Sequence, residues 1–173
     1  MIAAIYCPGP SLLRSPVGGF GLTIGVNRAP LILRRSRGQV LDCWAFLDAA
    51  VFEQHQPGYR PVLITTHDAV DSISRHGHAR ELGLHRVKLA GMYEAKARGW
   101  RTYTATTAAV IAVLLGSRTI HVFGSDMTDA PDCDGDAPAG CRRNADRWEN
   151  ERSVWRHVNR WASDQGVAIH GVA

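Results

Sequence analysis

Thr119-Ile120-His121-Val122-Phe123-Gly124-Ser125-Asp126-Met127 decides how this chain is read. An apolar, β-branched run stops abruptly at Gly-Ser-Asp, the pattern of a buried strand that ends in a tight turn. Upstream, Thr104-Ala105-Thr106-Thr107 leads into Ala, Val, Ile and Leu as far as Leu115, with Gly116 placed to end a helix over Thr106 to Leu115. That helix is apolar on nearly every side, as a helix laid against a sheet must be. The N-terminus carries a matching unit. Residues 2–7 form an apolar run stopped by Pro8-Gly9-Pro10-Ser11, and Leu22-Thr23-Ile24-Gly25-Val26 stops at Asn27. Turns of this kind line up at the carboxyl edge of a parallel sheet, where ligands bind, and the arrangement points to a nucleotide site.

Working outward, Asp42 to Phe46 reads as a third strand with Asp48 just beyond it, and Pro61 to Thr66 as a fourth, stopped by His67-Asp68. Asp71 to Gly91 is polar and histidine-rich and reads as a loop with short irregular elements; residues 91–99 read as a short helix. Residues 128–143 read as a loop, with Asp129, Asp132, Asp134 and Asp136 in solvent. Residues 144–165 read as a long amphipathic helix. Trp148, Val154, Trp155, Val158 and Trp161 share its apolar stripe, Asn144 or Asp146 is placed to cap it, and Gly166 ends it. Core packing is the default role for its tryptophans, with a dimer face as the other. Val167 to His170 closes the chain as a last strand. This alternation predicts an α/β fold, a single Rossmann-like domain over residues 1–173 with a mostly parallel sheet flanked by helices.

The chain has 173 residues, enough for one core, and no run approaches the ~20 apolar residues that span a bilayer. Met1-Ile2-Ala3-Ala4-Ile5 has no basic region of a secretory leader, so a cytoplasmic location is expected. Net charge is +4, carried almost wholly by arginine, since only Lys88 and Lys96 are lysines. Compositional bias explains that skew, and anion binding is the functional alternative. Nucleic acid is not indicated beyond mild basicity. Cys7, Cys43, Cys133 and Cys141 form no Cys-x-x-Cys pair and are expected to be free thiols, although Cys133 and Cys141 flank the acidic loop.

The candidate site residues cluster at strand ends. Gly9 and Pro10 let backbone approach a ligand, and Ser11 either caps a helix or donates to a phosphate. Asn27 offers donor and acceptor groups that suit a base or a ribose, with Arg28 beside it. Thr104 and Thr106 stand at a helix start, where open N–H groups attract anions. Gly124 precedes Asp126, a carboxylate for a hydroxyl, a metal or an amine. The acidic loop lacks the pattern of a calcium loop, and no metal site is expected. His67, His76, His78 and His85 read as surface residues; His157 or His170 serves as a base only if it faces the pocket.

In order and spacing, Gly9-Pro10-Ser11-Leu12, Asn27, Thr104-Ala105, Leu115-Gly116 and Gly124-Ser125-Asp126 resemble the sialyltransferase-like superfamily. That superfamily includes the bacterial family-42 sialyltransferases, the MptE-like hydroxymethylpterin diphosphokinases and uncharacterised phage proteins. The resemblance implies a nucleotide-dependent transferase, in the first place a small glycosyltransferase using a nucleotide-sugar donor. Gly9, Pro10, Ser11, Asn27, Arg28, Thr104, Ala105, Thr106 and Gly124 would hold the nucleotide. Arg142, Arg143 or Arg147 would steady the leaving phosphate, and Asp126 or Asp48 would contact the acceptor or act as base. Three departures stand out. Pro8 occupies the place of a family Asn, Thr104-Ala105 replaces a Ser-Gly, and arginines stand where those transferases carry a catalytic His. A non-catalytic nucleotide-binding protein is therefore the alternative, and a diphosphokinase requiring Mg²⁺ a further one. Self-association is compatible with either.

Overall fold

A computed structural model describes residues 1–75, 96–135 and 145–172. The histidines His76, His78 and His85, most of the helix expected over 91–99, and Asp136, Cys141, Arg142, Arg143 and Asn144 lie outside the described residues.

The strands are β1 (Ile2–Tyr6), β2 (Leu22–Val26), β3 (Cys43–Ala45), β4 (Val62–Ile64), β5 (Thr119–Phe123) and β6 (Ala168–His170). They form one sheet in the order β4-β3-β2-β1-β5-β6, every pair parallel. The helices are α1 (Ala29–Arg37), α2 (Ala49–Gln54), α3 (His67–Arg75), α4 (Thr104–Leu114) and α5 (Ala145–Asp164), with a short 3-10 turn at Leu12–Arg14. Strand order runs outward from β1 to β4, then returns through α4 to place β5 on the other side of β1. The reversal of direction falls between β1 and β5, the position at which such sheets open a crevice. No described helix is long and apolar enough to cross a membrane.

Period-two alternation sorts the strand residues onto two faces. Ala3, Ile5, Ile24, Cys43, Ala45, Ile120 and Val122 face α4 and α5, whose Ala108, Ala109, Ile111, Val154, Trp155, Val158 and Trp161 complete that core. Ala4 and Tyr6 face α1, and Trp44, Phe46 and Leu63 face α2 and α3. The alanines of α4 let its axis come close to the sheet, which explains why its first turn sits directly above the ends of β1 and β2. Burying Trp155 and Trp161, at 1% and 7% exposure, fixes α5 beside it.

Three helices escape the sequence reading. Arg34, Arg35 and Arg37, which the sequence alone leaves as a solvated face or a mobile loop, form the last turn of α1, with Arg34 and Arg35 exposed: Pro30 pre-sets its first turn, Ile32 and Leu33 are buried, and the arginines crowd its last turn, where the helix dipole favours cations. Asp48 starts α2 by accepting the Ala50 N–H at 3.0 Å. The loop expected from Asp71 begins as helix, because α3 buries Ala69 and Ile73 one turn apart and Thr66 Oγ1 accepts the Ala69 N–H at 3.0 Å.

Candidate functional site

The turn after β1 and the turn after β5 are locked together. Cys7 N–H donates to the Phe123 carbonyl at 2.8 Å, and Gly9 N–H donates to the Gly124 carbonyl at 2.9 Å. A Cβ on Gly9 would overlap that carbonyl and stand 2.6 Å from Asp126 Oδ2, so glycine is required for the turns to touch. Gly124 has φ +70° and its own Cβ would overlap the Cys7 carbonyl. Asp126 accepts the Ser11 N–H at 2.9 Å, which holds the first turn in place.

Above these turns lies a cavity of about 820 Å³. Its floor is Cys7, Pro8, Gly9, Val26 and Asn27, at the carboxyl ends of β1 and β2. One wall is Tyr103, Thr104 and Ala105 at the start of α4; another is Asp48, Val51 and His55 on and around α2; the third is Arg147, Trp148 and Glu151 on α5. Asn27 adopts φ +51°, a left-handed conformation that asparagine tolerates better than most residues. Its N–H donates to the Ala45 carbonyl at 2.8 Å and its own carbonyl accepts from the Trp44 indole. The first turn of α4 has no side-chain cap, and its ladder starts with Thr107 N–H to the Tyr103 carbonyl at 2.9 Å. The N–H groups of the residues before Thr107 are thus the unsatisfied donors of a helix start, with Thr104 and Ala105 on the cavity.

Arg147 brings the charge. Its guanidinium stands 5.0 Å from the centre of the Trp148 ring and 5.9 Å from that of Tyr103, and 3.9 Å from Glu151 Oε2. Stacking on two aromatics holds a flat cation beside the helix start. Glu151 is only 6% exposed. Burial raises its pKa above the ordinary carboxylate value, and Arg147 pulls it partly back. At the floor, the Cys7 thiol is pushed far up by burial first and then by the nearby charges of Glu151 and Asp126, so it stays protonated.

Of the residues singled out in the sequence, the cavity gathers Gly9, Pro10, Asn27, Arg28, Asp48, Thr104, Ala105, Gly124, Asp126 and Arg147. Others lie elsewhere. Ser11 lines a smaller adjoining hollow. Thr106 is buried and its hydroxyl donates to the Tyr103 carbonyl at 3.0 Å, so it tightens the helix start from behind. Arg28, although it lines the cavity, does not present an open cation there: it is 4% exposed and pairs with Asp132 at 3.4 Å and with Asp134. Asp132 is correspondingly buried rather than solvated, and the pair pins the loop after β5 to the end of β2. His157 stacks on Trp100 and His170 on His121, and neither lines the cavity. Cys7, Cys43 and Cys133 are free thiols. Among the described residues no group of three or more His, Cys, Asp or Glu could hold a metal.

Sequence reasoning missed Tyr103 and Glu151. Tyr103 carried no motif. Glu151 did leave a trace, a carboxylate midway between Trp148 and Val154 on the apolar stripe of α5.

No protein-family model and no curated protein matches the chain. Solved structures do. The sialyltransferase CstII from Campylobacter jejuni, in complex with the substrate analogue cytidine-5'-monophosphate, superposes with a TM-score of 0.60 at 11% identity, over 99% of this chain and 79% of that one. The same enzyme in complex with CMP-3FNeuAc superposes with a TM-score of 0.58 at 10% identity, over the same shares. The likeness is one of fold: a parallel sheet flanked by helices, as in those sialyltransferase structures.

Proposed function

We propose that this protein is a nucleotide-dependent transferase that takes a nucleotide-activated sugar into the cavity and passes the sugar to a hydroxyl acceptor. The observation that carries this reading is the convergence of an uncapped helix start, at Thr104 and Ala105, with the stacked guanidinium of Arg147 over the glycine-lined crevice. Open amides and a planar cation together suit a phosphate diester or monoester, and the volume of about 820 Å³ beside them is in the range of small-molecule sites. The solved sialyltransferase structures bind cytidine nucleotides on the same fold, which supports a pyrimidine nucleotide here.

In this reading Gly9, Pro10 and Asn27 lie along the nucleoside, and the start of α4 holds the phosphate. Arg147 stabilises the negative charge that grows on the phosphate as the glycosyl bond breaks. Arg142 and Arg143, just before α5, remain candidates for the same work. Asp126 is engaged by Ser11 and supports the turn, and Asp48 is engaged in capping α2.

A thermal-shift screen against CMP, CDP, UDP, GDP, ADP, ATP and their sugar conjugates, with and without Mg²⁺, tests the reading, followed by a turnover assay on any hit. A ligand at ~100-fold its Kd stabilises by about 2.7 kcal/mol, roughly 5–10 °C for a chain of this size. The expected result is a metal-independent shift with a CMP- or UDP-linked sugar and release of the free nucleotide. No shift with any nucleotide refutes the reading. A shift without turnover supports the non-catalytic alternative.

A further inference from the structure

We propose that Glu151 is the general base of this cavity, taking the proton of the attacking hydroxyl; the assignment rests on the transferase reading above. The transfer needs such a group. The acceptor oxygen forms a bond to the anomeric carbon as the bond from that carbon to the phosphate oxygen breaks. The phosphate leaves with the electron pair, and the hydroxyl proton must go to a base.

The other carboxylates on the cavity are committed. Asp126 accepts the Ser11 N–H, Asp48 accepts the Ala50 N–H, and Asp132 faces the guanidinium of Arg28. Glu151 differs from all three. Its ion pair is a long one, 3.9 Å to Arg147, and it stands 6% exposed on the cavity wall one helical turn past that arginine. A carboxylate with a distant partner and little water keeps its lone pairs for a substrate. The titratable groups that line the cavity with it come from every element around it: Arg147 on its own helix, Cys7 at the end of β1, Asp126 and Asp132 after β5, and Tyr103 before α4. Burial raises its pKa and Arg147 restrains the rise, which moves the group toward the working range of a base while leaving it able to ionise. Arg147 then serves two neighbours, the leaving phosphate on one side and the ionised base on the other.

The test compares the full chain with Glu151→Gln and Glu151→Asp, using the nucleotide sugar that the screen selects. Calorimetry reads binding; release of free nucleotide, with and without added acceptor, reads turnover across pH 5–9. A base predicts that Glu151→Gln binds within about threefold of the parent, while turnover falls by about 10²–10⁴-fold. The acid limb of the pH profile disappears in Glu151→Gln and returns, displaced, in Glu151→Asp. Turnover of Glu151→Gln within about threefold of the parent, with the acid limb intact, overturns the assignment. A parent that binds nucleotide without turning it over also overturns it and leaves the binding site standing. A parent that binds no nucleotide overturns the transferase reading and the base with it.

Discussion

Replacing Gly124 by alanine tests whether the two turns at the floor of the cavity are locked as described. The perturbation has two parts. Gly124 has φ +70°, where an L residue costs roughly 1–2 kcal/mol relative to glycine. Its new Cβ would also overlap the Cys7 carbonyl, which is main chain held by the β1–β5 ladder and has nowhere to go. Forced overlap of this kind costs typically ~1–3 kcal/mol. Together the loss is about 2–5 kcal/mol, or roughly 5–20 °C in Tm for a chain of this length. Gly116→Ala supplies the control. Gly116 has φ +86° but open space around its Cβ position, so only the conformational part applies. Urea unfolding of both variants, with Cm compared at equal m, separates the steric part from the backbone part. Equal destabilisation of the two variants would refute the claim that close contact of the turns, rather than backbone conformation alone, demands glycine at 124.

Arg28→Met leaves Asp132, whose side chain is 1% exposed, without its buried cation and is expected to cost about 3–5 kcal/mol in urea unfolding; a cost below ~1 kcal/mol would show that the pair is idle. Because burial raises the Glu151 pKa above its ordinary 4.5, the folded state holds that proton more tightly than the unfolded chain. Its contribution is fully present below 4.5 and is lost as pH rises through the raised value. Glu151→Gln, which cannot ionise, should match the parent Tm near pH 4 and exceed it at pH 8, and a pH-independent gap would contradict this. Arg147→Lys keeps the charge but loses the flat fork stacked on Tyr103 and Trp148. Affinity for a nucleoside monophosphate is expected to fall about 10–100-fold, the loss of a charge-assisted pair, while affinity for the bare nucleoside stays unchanged. Equal losses for both ligands would remove Arg147 from the phosphate.

Strands β1, β2 and β5 were legible because their apolar runs and their stops at Pro8-Gly9, Asn27 and Gly124 are local signals. Helix α5 was legible for the same reason, its stripe repeating at helical spacing. Helix α1 was not, because three arginines at its end outweighed the short apolar face of Ala29, Ile32 and Leu33. Arg28 read as a cation at the site and Asp132 as solvated, since nothing within either neighbourhood names a partner so distant in sequence.

The sequence by itself determined that this is an α/β chain and which turns end its strands, since alternation, helical spacing and turn chemistry depend on neighbours only a few residues away. Tertiary structure alone decided that β1 lies between β2 and β5, that the start of α4 opens onto their ends, and that Glu151 is buried beside Arg147. These depend on which surfaces pack together. Local pattern tells a residue whether to be buried, but only the assembled sheet and helices tell it against what.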